Sequence, residues 1–340
     1  MVVRVASYNT ALSRDKAGEL KQAIISGSDK QVLATERLLD HINADILLLN
    51  EVDFDAIEPL VERLALQQNY RYAFYLPVNT GQASGRDFDK DGVFSDVGAD
   101  ALGFGQFLGQ YGMLLLSRFA IDHKASRSFQ HFLWRDMPSA KMPQHPDGGA
   151  WFDEQDLDVL PLSSKSHWDV VIEIGKRKLH CLCSHPTPPV FDGAERRNAC
   201  RNHDEIRFWS DYLSAKNYFY DDQGRQGGFS GEDFILLGDL NASSKEGDAY
   251  KEAIEQLLKH PKMGRYPFPT SVGGKQHSPR ANNSPYHTAV WRMQADYVRL
   301  SKDLKLINQG VFWPASQDPL VQLLKHTSDH RLVFADLSHI

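Results

Sequence analysis

The sequence contains few cysteines, no long apolar run and no excess of positive charge. Only three of its 340 residues are cysteines, and this small, odd number excludes a disulfide framework as the basis of the fold. No stretch approaches the roughly 20 consecutive apolar residues of a membrane-spanning helix. The net charge of −6 excludes a broadly basic surface, so a polyanionic partner would have to meet a local patch or bound cations.

Internal repeats, low-complexity tracts and interdomain linkers are also missing from the sequence. Its composition, 41% hydrophobic and 24% charged, is typical of a soluble globular protein. We predict one α/β domain over residues 1–340, because apolar runs and helical patterns alternate along the whole chain. Residues 1–10 enter a strand pattern without a charged-then-apolar leader. We therefore expect a cytoplasmic protein, or an exported one whose leader has been removed.

Hydrophobic periodicity predicts the secondary structure. The spacing of apolar residues predicts helices over 30–42, 202–216 and 250–258. Runs of β-branched, aromatic and leucine residues bounded by turn formers predict strands over Val2–Ser7, Asp45–Asn50, Tyr70–Leu76, Gly112–Ser117, Trp168–Ile174, Lys178–Ser184, Asp233–Gly238, Ala295–Leu300 and Arg331–Leu337. Two segments without either pattern, 79–109 and 137–165, are predicted loop insertions near one rim of the fold, and loops of this length are usually functional or mobile.

Polar side chains recur where the predicted strands end. The stretch "FILLGDLN" finishes on Asp239 and Asn241, and residues i and i+2 of a strand share a face, so both are expected to point into one pocket. The other members of this polar set are Asn9, Glu51, His185, Asp296, Asp329 and His330. Each residue alone is more often a turn former or a cap. Together, carboxylates that bind Mg²⁺ or Mn²⁺ and imidazoles that donate to phosphoryl oxygens predict hard-cation chemistry on a phosphate ester.

Six motifs resemble the endonuclease/exonuclease/phosphatase superfamily, the group of pancreatic deoxyribonuclease. In chain order they are "SYNT", "LLLNEVD", "SHP", "LLGDLN", "ADYV" and "SDHRLV", spread over residues 7–333. The stretch from "HPTPPVFDG" to "RNHDEIRFW" further resembles a bacterial subgroup of uncharacterised members. The resemblance implies a four-layer α/β/β/α sandwich, in which two mixed β-sheets pack face to face with helices outside. It also implies a phosphoesterase that depends on Mg²⁺ or Mn²⁺.

The resemblance assigns metal binding to three residues of the polar set. Glu51 matches the principal metal ligand, and Asn9 lies beside it in the family pattern. Asp329 is implied to complete the metal site, directly or through water. A bound cation suits this reaction because a phosphodiester anion repels hydroxide, and the site must cancel that charge.

The remaining members of the set are implied to act on the water and the phosphate. Asp239 matches the residue that aligns or deprotonates the attacking water, and Asn241 the one that orients this water or a phosphate oxygen. His185 and His330 are implied to donate to the non-bridging oxygens. Asp296 matches the partner that orients His330, since a carboxylate beside an imidazole selects its tautomer and favours its cation.

Two arginine positions are candidates for substrate binding. Arg118 ends the predicted strand in "YGMLLLSRF" and would reach a substrate phosphate, or else is a surface arginine. Arg197 lies with Arg196 and Arg201 in "ERRNACRN", shortly after His185. This segment is either a phosphate-binding patch or a basic helix start that faces solvent.

The first insertion contains a calcium-loop pattern. Asp87, Asp89 and Asp91 have the spacing of D-x-D-x-D-G in "DFDKDG", which places carboxylates on a tight turn as structural Ca²⁺ requires. The twelfth position is glycine instead of a bidentate glutamate, so Asp96 or Asp100 would have to substitute. The alternative is a solvated acidic loop.

These observations predict a metal-dependent phosphoesterase that hydrolyses a phosphodiester or a phosphomonoester by attack of water. One alternative is an endonuclease or exonuclease on DNA or RNA, although the negative net charge and the lack of basic runs disfavour a processive nucleic-acid binder. Another is a non-catalytic phosphate-binding module on the same fold, which the complete set of polar positions disfavours. The two long insertions would narrow the site around a smaller ester.

Overall fold

The computed structural model describes residues 1–338, which form twelve strands and seven α-helices. The strands are β1 (Val2–Asn9), β2 (Ile46–Val52), β3 (Tyr72–Phe74), β4 (Gly112–Ser117), β5 (Ala120–Ile121), β6 (Arg127–Ser128), β7 (His167–Ile174), β8 (Arg177–Ser184), β9 (Asp233–Asp239), β10 (Asp296–Leu300), β11 (Lys305–Val311) and β12 (Val333–Ser338). The helices are α1 (Glu19–Ser26), α2 (Lys30–Ile42), α3 (Ile57–Gln68), α4 (Glu154–Leu157), α5 (Arg197–Leu213), α6 (Lys251–Leu258) and α7 (Val272–His277). Short 3₁₀ helices span Phe54–Ala56, Trp134–Asp136, Ser284–Tyr286 and Pro319–Leu324. No helix within residues 1–338 has both the length and the hydropathy of a membrane span.

The strands form two mixed sheets. In the first sheet the order is β11-β12-β1-β2-β4-β3, and only β1 and β2 are parallel. In the second sheet the order is β10-β9-β8-β7-β5, with β6 also paired to β7, and only β8 and β9 are parallel. Strands β1 and β2 of the first sheet contact β9 of the second.

Alternation along the strands builds the four layers. One face of the first sheet, including Val5 and Leu48, packs with Cys181 and Ile235 of the second sheet in a single apolar core. The other face of the first sheet packs under α1, α2 and α3. The outer face of the second sheet packs under α5 and α6. Successive side chains of a strand point to opposite faces, so the apolar runs cover both faces. The predicted α/β/β/α sandwich is confirmed.

Helix α2 has the bounds predicted from the sequence, whereas α5 begins five residues before its predicted start. Asp29 caps α2 locally, since its carboxylate accepts from the backbone N–H groups of the second and third helical residues. The first turn of α5 is held from outside the helix, because Asp192 accepts from the N–H groups of Asn198 and Ala199 at 2.9 and 3.1 Å. Sequence periodicity indicates which face of a helix is apolar, but it cannot reveal a cap from a residue outside the helix, so the start of α5 was predicted too late.

The sequence also failed to predict several elements. Helices α1, α3 and α7 and the edge strand β11 were missed. The first five residues of β11 are mostly exposed, so they lack the apolar alternation from which a strand is recognised. The second insertion was expected to be irregular but contains the single turn α4, closed by a capping box between Asp153 and Asp156.

The two insertions pack together against the second sheet. The side-chain amide of Asn79 donates to the carbonyls of Gln130 and Ser163 at 2.8 Å each, which joins the start of the first insertion to the end of the second. Phe88 and Leu160, one from each insertion, belong to the apolar core under α5 and α6. The insertions therefore have fixed positions relative to the sheets, and the assignment of all 340 residues to one domain stays a prediction.

Acid is expected to destabilise the fold through His167 on β7. This histidine is 1% exposed, and its Nε2–H donates to the carbonyl of Glu205 at 2.8 Å. Burial lowers the pKa of His167 to about 4, and the hydrogen bond to Glu205, which raises the pKa, offsets only part of this shift. In the unfolded chain this imidazole has a pKa near 6.5, so it takes up a proton at a higher pH than in the folded protein. The contribution of neutral His167 to the free energy of unfolding is therefore fully present above pH 6.5, and about 3 kcal/mol of it is lost as the pH falls toward 4.

Urea unfolding at pH 7.5 and pH 4.5 measures this loss. His167→Gln is expected to show a smaller fall in the free energy of unfolding between the two pH values than the wild type. The same exchange at exposed His131 is the control for removal of an imidazole. Equal falls in the wild type and His167→Gln would contradict the assignment to His167.

Candidate functional site

Sheet topology brings the polar strand ends to one rim. Strands β1 and β2 are parallel, as are β8 and β9, so their carboxyl ends lie together within each sheet. Strands β10 and β12 run antiparallel to β9 and β1, so their amino ends lie at the same rim. The side chains that the topology gathers there are Asn9, Glu51, His185, Asp239, Asp296 and His330.

A β-bulge turns Glu51 toward this rim. Simple alternation would place Glu51 on the same face as Leu49, which packs under the outer helices. The pairing of β2 with β4 shifts register between Asn50 and Val52, and Glu51 has a left-handed φ of 60°. The extra residue re-aims the side chain, and the Asn9 amide donates to Glu51 Oε1 at 2.9 Å. Glu51 Oε2 makes no hydrogen bond with any residue of 1–338.

Asp239 is the buried carboxylate at the centre of the rim. Its Oδ2 accepts from the Asn9 amide at 3.0 Å, and its Oδ1 accepts from the Asn241 N–H at 2.9 Å. The preceding Gly238 has φ 147°, and a Cβ there would lie 2.0 Å from the Ser184 carbonyl oxygen, so only glycine lets β9 approach the end of β8 this closely. Burial raises the pKa of Asp239 to about 7, although the positive charge of His330 acts to lower it.

Asn241 does not share a strand face with Asp239. Strand β9 ends at Asp239, and Asn241 has a left-handed φ of 51°, so the i, i+2 rule does not extend to it. Its side-chain amide donates to the Pro186 carbonyl at 3.1 Å. Asn241 therefore contacts the turn that carries His185, which corrects the expected geometry and leaves its role toward water or phosphate a prediction.

His330 is paired with Asp296, as the resemblance implied. His330 Nδ1 lies 2.9 Å from Asp296 Oδ2, which also accepts from the Thr288 hydroxyl at 2.7 Å. The other ring nitrogen, Nε2, lies 3.8 Å from Asp239 Oδ2. Burial works against the imidazolium, but the charges of Asp296 and Asp239 outweigh it and raise the pKa of His330 to about 10. The ring therefore carries a positive charge toward the rim at neutral pH.

His185 faces the same carboxylates and is neutral. Its Nε2 lies 3.5 Å from Asp239 Oδ2 and 3.9 Å from Glu51 Oε1. Burial, followed by the positive charges of Lys165 and His330, lowers the pKa of His185 well below its usual range. The two histidines therefore offer one neutral and one charged imidazole to the same space.

Lys165 is a site residue that the sequence did not reveal. It is 6% exposed, and within residues 1–338 its Nζ makes no hydrogen bond or ion pair. Burial lowers its pKa, while Glu205, Glu51 and Asp239 oppose the shift. The only signal was its position, at the end of the second insertion and just before β7. A buried lysine without a partner beside carboxylates is available for an anionic ligand.

Glu205 on α5 holds the backbone around Lys165 and His185. Its Oε1 accepts from the Ser164 N–H at 2.7 Å, and its Oε2 accepts from the Thr187 N–H at 2.6 Å. One buried carboxylate thus joins the residue before Lys165 to the turn after His185. No local pattern marks Glu205, because both partners come from distant segments.

The residues of the rim fit a divalent cation. Ligand atoms of Asp239, Asp296 and His330 lie within 4.8 Å of one another, but the last two are already paired with each other. Glu51 offers a free carboxylate oxygen beside Asn9 and close to Asp239, which is the donor chemistry that Mg²⁺ and Mn²⁺ prefer. Asp329 is exposed and accepts a 3.4 Å hydrogen bond from the Ser328 hydroxyl. Its contribution to a metal site stays a prediction.

Arg118 lies at the other end of the first sheet. Strand β4 is antiparallel to β2, so Ser117 pairs with Ile46 at the start of β2, about 16 Å along the strand from Glu51. Arg118 instead pairs with Asp45 at 3.0 Å and donates to the Gln68 carbonyl. The interpretation of Arg118 as a substrate-binding residue is therefore wrong.

The second arginine segment lies near the rim, but its charges are engaged. Arg197 lines a cavity together with Glu51 and His185, and its guanidinium pairs with Glu195. Arg196 donates to the Asp248 carbonyl. Arg201 is used on the carbonyls of Leu102, Pro161 and Leu162. Arg197 thus remains a candidate for substrate binding, whereas Arg201 is a structural group.

The acidic loop gathers a different trio from the one predicted. Ligand atoms of Asp87, Asp89 and Asp100 lie within 4.8 Å of one another, so Asp100 takes the place foreseen for Asp96 or Asp100. Asp91 is exposed and outside this group, and its carboxylate accepts from the Val93 N–H at 2.7 Å. The inclusion of Asp91 among the calcium ligands is corrected accordingly.

Comparison with known proteins identifies the family and the fold of the chain. A family model described as the Endonuclease/Exonuclease/phosphatase family matches residues 6–330. A search of curated protein sequences found no match.

Solved structures show the same fold. The chain is similar to an endonuclease/exonuclease/phosphatase from Beutenbergia cavernae DSM 12333, with TM-score 0.55 and 16% identity over 99% of this chain and 71% of that chain. It is similar to a family protein from Leptotrichia buccalis C-1013-b, with TM-score 0.52 and 13% identity over 99% and 100% of the two chains. The human Nocturnin catalytic domain with bound sulfate gives TM-score 0.50 and 18% identity over 99% and 94%.

The family match covers nearly the whole chain. The protein therefore belongs to the endonuclease/exonuclease/phosphatase family and is a metal-dependent hydrolase of phosphoric ester bonds.

Proposed function

We propose that this protein hydrolyses a phosphodiester or phosphomonoester of a small molecule by attack of water at the rim formed by both sheets. The observation that carries this proposal is the convergence of Glu51, Asp239, His185 and His330. The separations of 3.5–3.9 Å between the imidazole nitrogens and the two carboxylates leave these groups around one space. The same space adjoins the unpaired Lys165.

Glu51 is the proposed principal ligand of Mg²⁺ or Mn²⁺, with Asn9 beside it and Asp329 completing the site. When bound, the cation supplies charge neutralisation on the phosphoryl group and on the leaving oxygen. Asp239 accepts a proton from the attacking water. Its orientation is held by the Asn9 amide and the Asn241 N–H, so the accepting oxygen does not have to reorganise during the reaction.

The histidines act on the phosphoryl oxygens in this proposal. His330 donates from Nε2, because its Nδ1 is held by Asp296. Neutral His185 donates from its Nε2, which faces the same space. Donors that are already oriented where negative charge develops stabilise the transition state by roughly 3 kcal/mol each.

Lys165→Met is expected to lower kcat/KM for the best phosphodiester by about 100-fold, because a preorganised cation next to the phosphate is lost. The melting temperature should stay the same or rise, since a buried, unpaired charge is replaced by an apolar chain of similar length. Lys262→Met, at a half-buried lysine away from the rim, is the matched control. A kcat/KM within threefold of the wild type would remove Lys165 from the site.

A metal titration with two chromogenic esters tests the proposed function. Metal-free protein is supplied with Mg²⁺ or Mn²⁺ and assayed with bis-p-nitrophenyl phosphate and p-nitrophenyl phosphate. Metal-dependent turnover of the diester alone assigns a diesterase, and equal turnover of the monoester assigns a phosphatase. Absence of turnover of both esters and of tight metal binding would overturn the proposal.

Plasmid nicking tests the alternative, a nuclease. The net charge of −6 disfavours a broadly basic surface for a nucleic-acid backbone, and Arg196 and Arg201 near the rim already donate to backbone carbonyls. We therefore expect no nicking at enzyme concentrations that hydrolyse the diester. Nicking that exceeds diester turnover would favour the nuclease.

We also propose structural Ca²⁺ at Asp87, Asp89 and Asp100. A ligand present at 100 times its Kd stabilises the folded state by about 2.7 kcal/mol, so Ca²⁺ is expected to raise the melting temperature by a few degrees. Asp89→Asn should abolish this increase, whereas Asp96→Asn, at an exposed carboxylate, should retain it. An equal effect of Ca²⁺ on Asp89→Asn and the wild type would refute this site.

A further inference from the structure

A cavity of about 300 Å³ opens beside the catalytic rim. Glu51, His185 and Lys165 line one end of it, so it is continuous with the proposed site of reaction. The two insertions and the segment after His185 supply most of the remaining wall. The large apolar side chains of the lining are Phe88, Phe104, Trp134, Phe152, Leu160 and Phe191.

The cationic groups of the cavity differ in their availability. Arg201 donates hydrogen bonds to three backbone carbonyls, and Arg197 forms an ion pair with Glu195. Lys165 is more than nine-tenths buried, and its Nζ has no hydrogen-bonding or ionic partner in residues 1–338. The cavity therefore presents an available cation at the reaction end and aromatic surface elsewhere, which suits a ligand with an anionic head and an apolar body.

Two aromatic rings at the cavity are exposed in the free protein. Phe104 is 56% exposed and Phe191 is 86% exposed. Phe191 also has a left-handed φ of 64°, which a bulky residue rarely adopts, and the Asn198 side chain donates to the carbonyls of Val190 and Phe191. An exposed ring that is held in a costly backbone conformation is typical of a binding surface.

We propose that this cavity binds the organic group of the ester substrate, and that this group is apolar and the size of one or two rings. The inference rests on the proposed function, because it places the phosphate at the rim. A closed apolar cavity of about 150 Å³ accommodates benzene, so twice that volume accommodates a bicyclic group. The polymeric backbone of a nucleic acid and a long acyl chain both fit such a space poorly.

Competitive inhibition by phosphonates tests this inference on the metal-loaded protein. Methylphosphonate, phenylphosphonate and 1-naphthylphosphonate share one head group and differ only in the organic group. The inhibition constant is expected to fall by about 10-fold or more from methyl to naphthyl, because each ring buries apolar surface. Dodecylphosphonate, the long-chain arm, is expected to bind more weakly than the naphthyl compound.

Phe104→Ala and Phe191→Ala should lower the ratio of the methyl to the naphthyl inhibition constant by about fivefold or more. Because both rings are exposed, neither exchange should impair folding. Phe94→Ala is the control, because Phe94 lies in the first insertion together with Phe104, is 55% exposed and is not part of the cavity lining. This variant should keep the wild-type ratio of inhibition constants.

The outcomes separate this inference from the proposed function. Equal inhibition by the methyl and naphthyl compounds, with the diester still hydrolysed, would overturn the cavity assignment alone. Tighter binding of the dodecyl compound would overturn the ring-sized class in favour of a lipid. Failure of all phosphonates to bind, together with absence of diester turnover, would reject the proposed function itself.

Discussion

Glu51→Gln is expected to reduce kcat/KM for bis-p-nitrophenyl phosphate by about 1,000-fold, because the proposed principal metal ligand loses its charge. The glutamine oxygen still accepts from the Asn9 amide, which now donates to Glu51 Oε1 at 2.9 Å. The bulge and the surrounding hydrogen bonds are therefore retained, and the exchange tests charge separately from shape. Steady-state kinetics measure the expected loss of kcat/KM. Calorimetric titration with Mg²⁺ and Mn²⁺ measures the expected loss of metal affinity.

Glu58→Gln is the matched control, since Glu58 is an exposed carboxylate in the first turn of α3. It should leave both the kinetics and the metal affinity unchanged. If Glu51→Gln retained activity within 10-fold of the wild type, with unchanged metal affinity, the metal would have to be held elsewhere. The trio of Asp239, Asp296 and His330 would then be the next candidate.

His330→Gln and Asp296→Asn are expected to show strongly non-additive effects on kcat. His330→Gln should lower kcat by about 1,000-fold and Asp296→Asn by about 100-fold, by analogy with single removals from hydrogen-bonded catalytic units. Asp296 acts through the 2.9 Å contact to His330 Nδ1, so it has nothing left to position once the imidazole is gone. The double variant should therefore match His330→Gln alone.

Asp336→Asn controls for the loss of a buried, ion-paired carboxylate. Asp336 is 7% exposed and pairs with Arg4 at 2.7 Å on β1, away from the rim. Its exchange is expected to lower the free energy of unfolding but to leave kcat within about twofold, since it touches no rim residue. Fully additive losses for Asp296→Asn and His330→Gln would show that Asp296 contributes independently of the imidazole.

The insertions connect the proposed metal loop, the cavity and the rim. Asp100 accepts from the Phe88 N–H at 2.7 Å, so the acidic trio holds the loop that carries an aromatic residue of the cavity wall. Glu205 holds the backbone next to Lys165 and His185 from the opposite side. Ca²⁺ at the acidic trio would therefore be expected to affect the shape of the cavity as well as stability.

Local sequence patterns determined most strands, helix α2 on the outer face of the first sheet, and the polar residues of the rim. Helix α2 was predicted with its observed bounds because its cap and its apolar stripe are both local. Asp239 at the end of β9 and His185 just after β8 marked the ends of these strands, because each is a polar residue that follows an apolar run. These signals depend on the alternation of side chains along a strand and on turn chemistry, which neighbouring residues set.

Only the tertiary structure decided which way several key side chains point and which residues join them. Glu51 faces the rim because β2 bulges against β4, and Arg118 lies at the far end because β4 runs antiparallel to β2. Lys165 enters the site because Glu205, 40 residues later in the chain, holds its neighbour Ser164. Strand direction, register and buried polar contacts depend on pairing between residues that are distant in sequence, so periodicity within a short window carries no information about them.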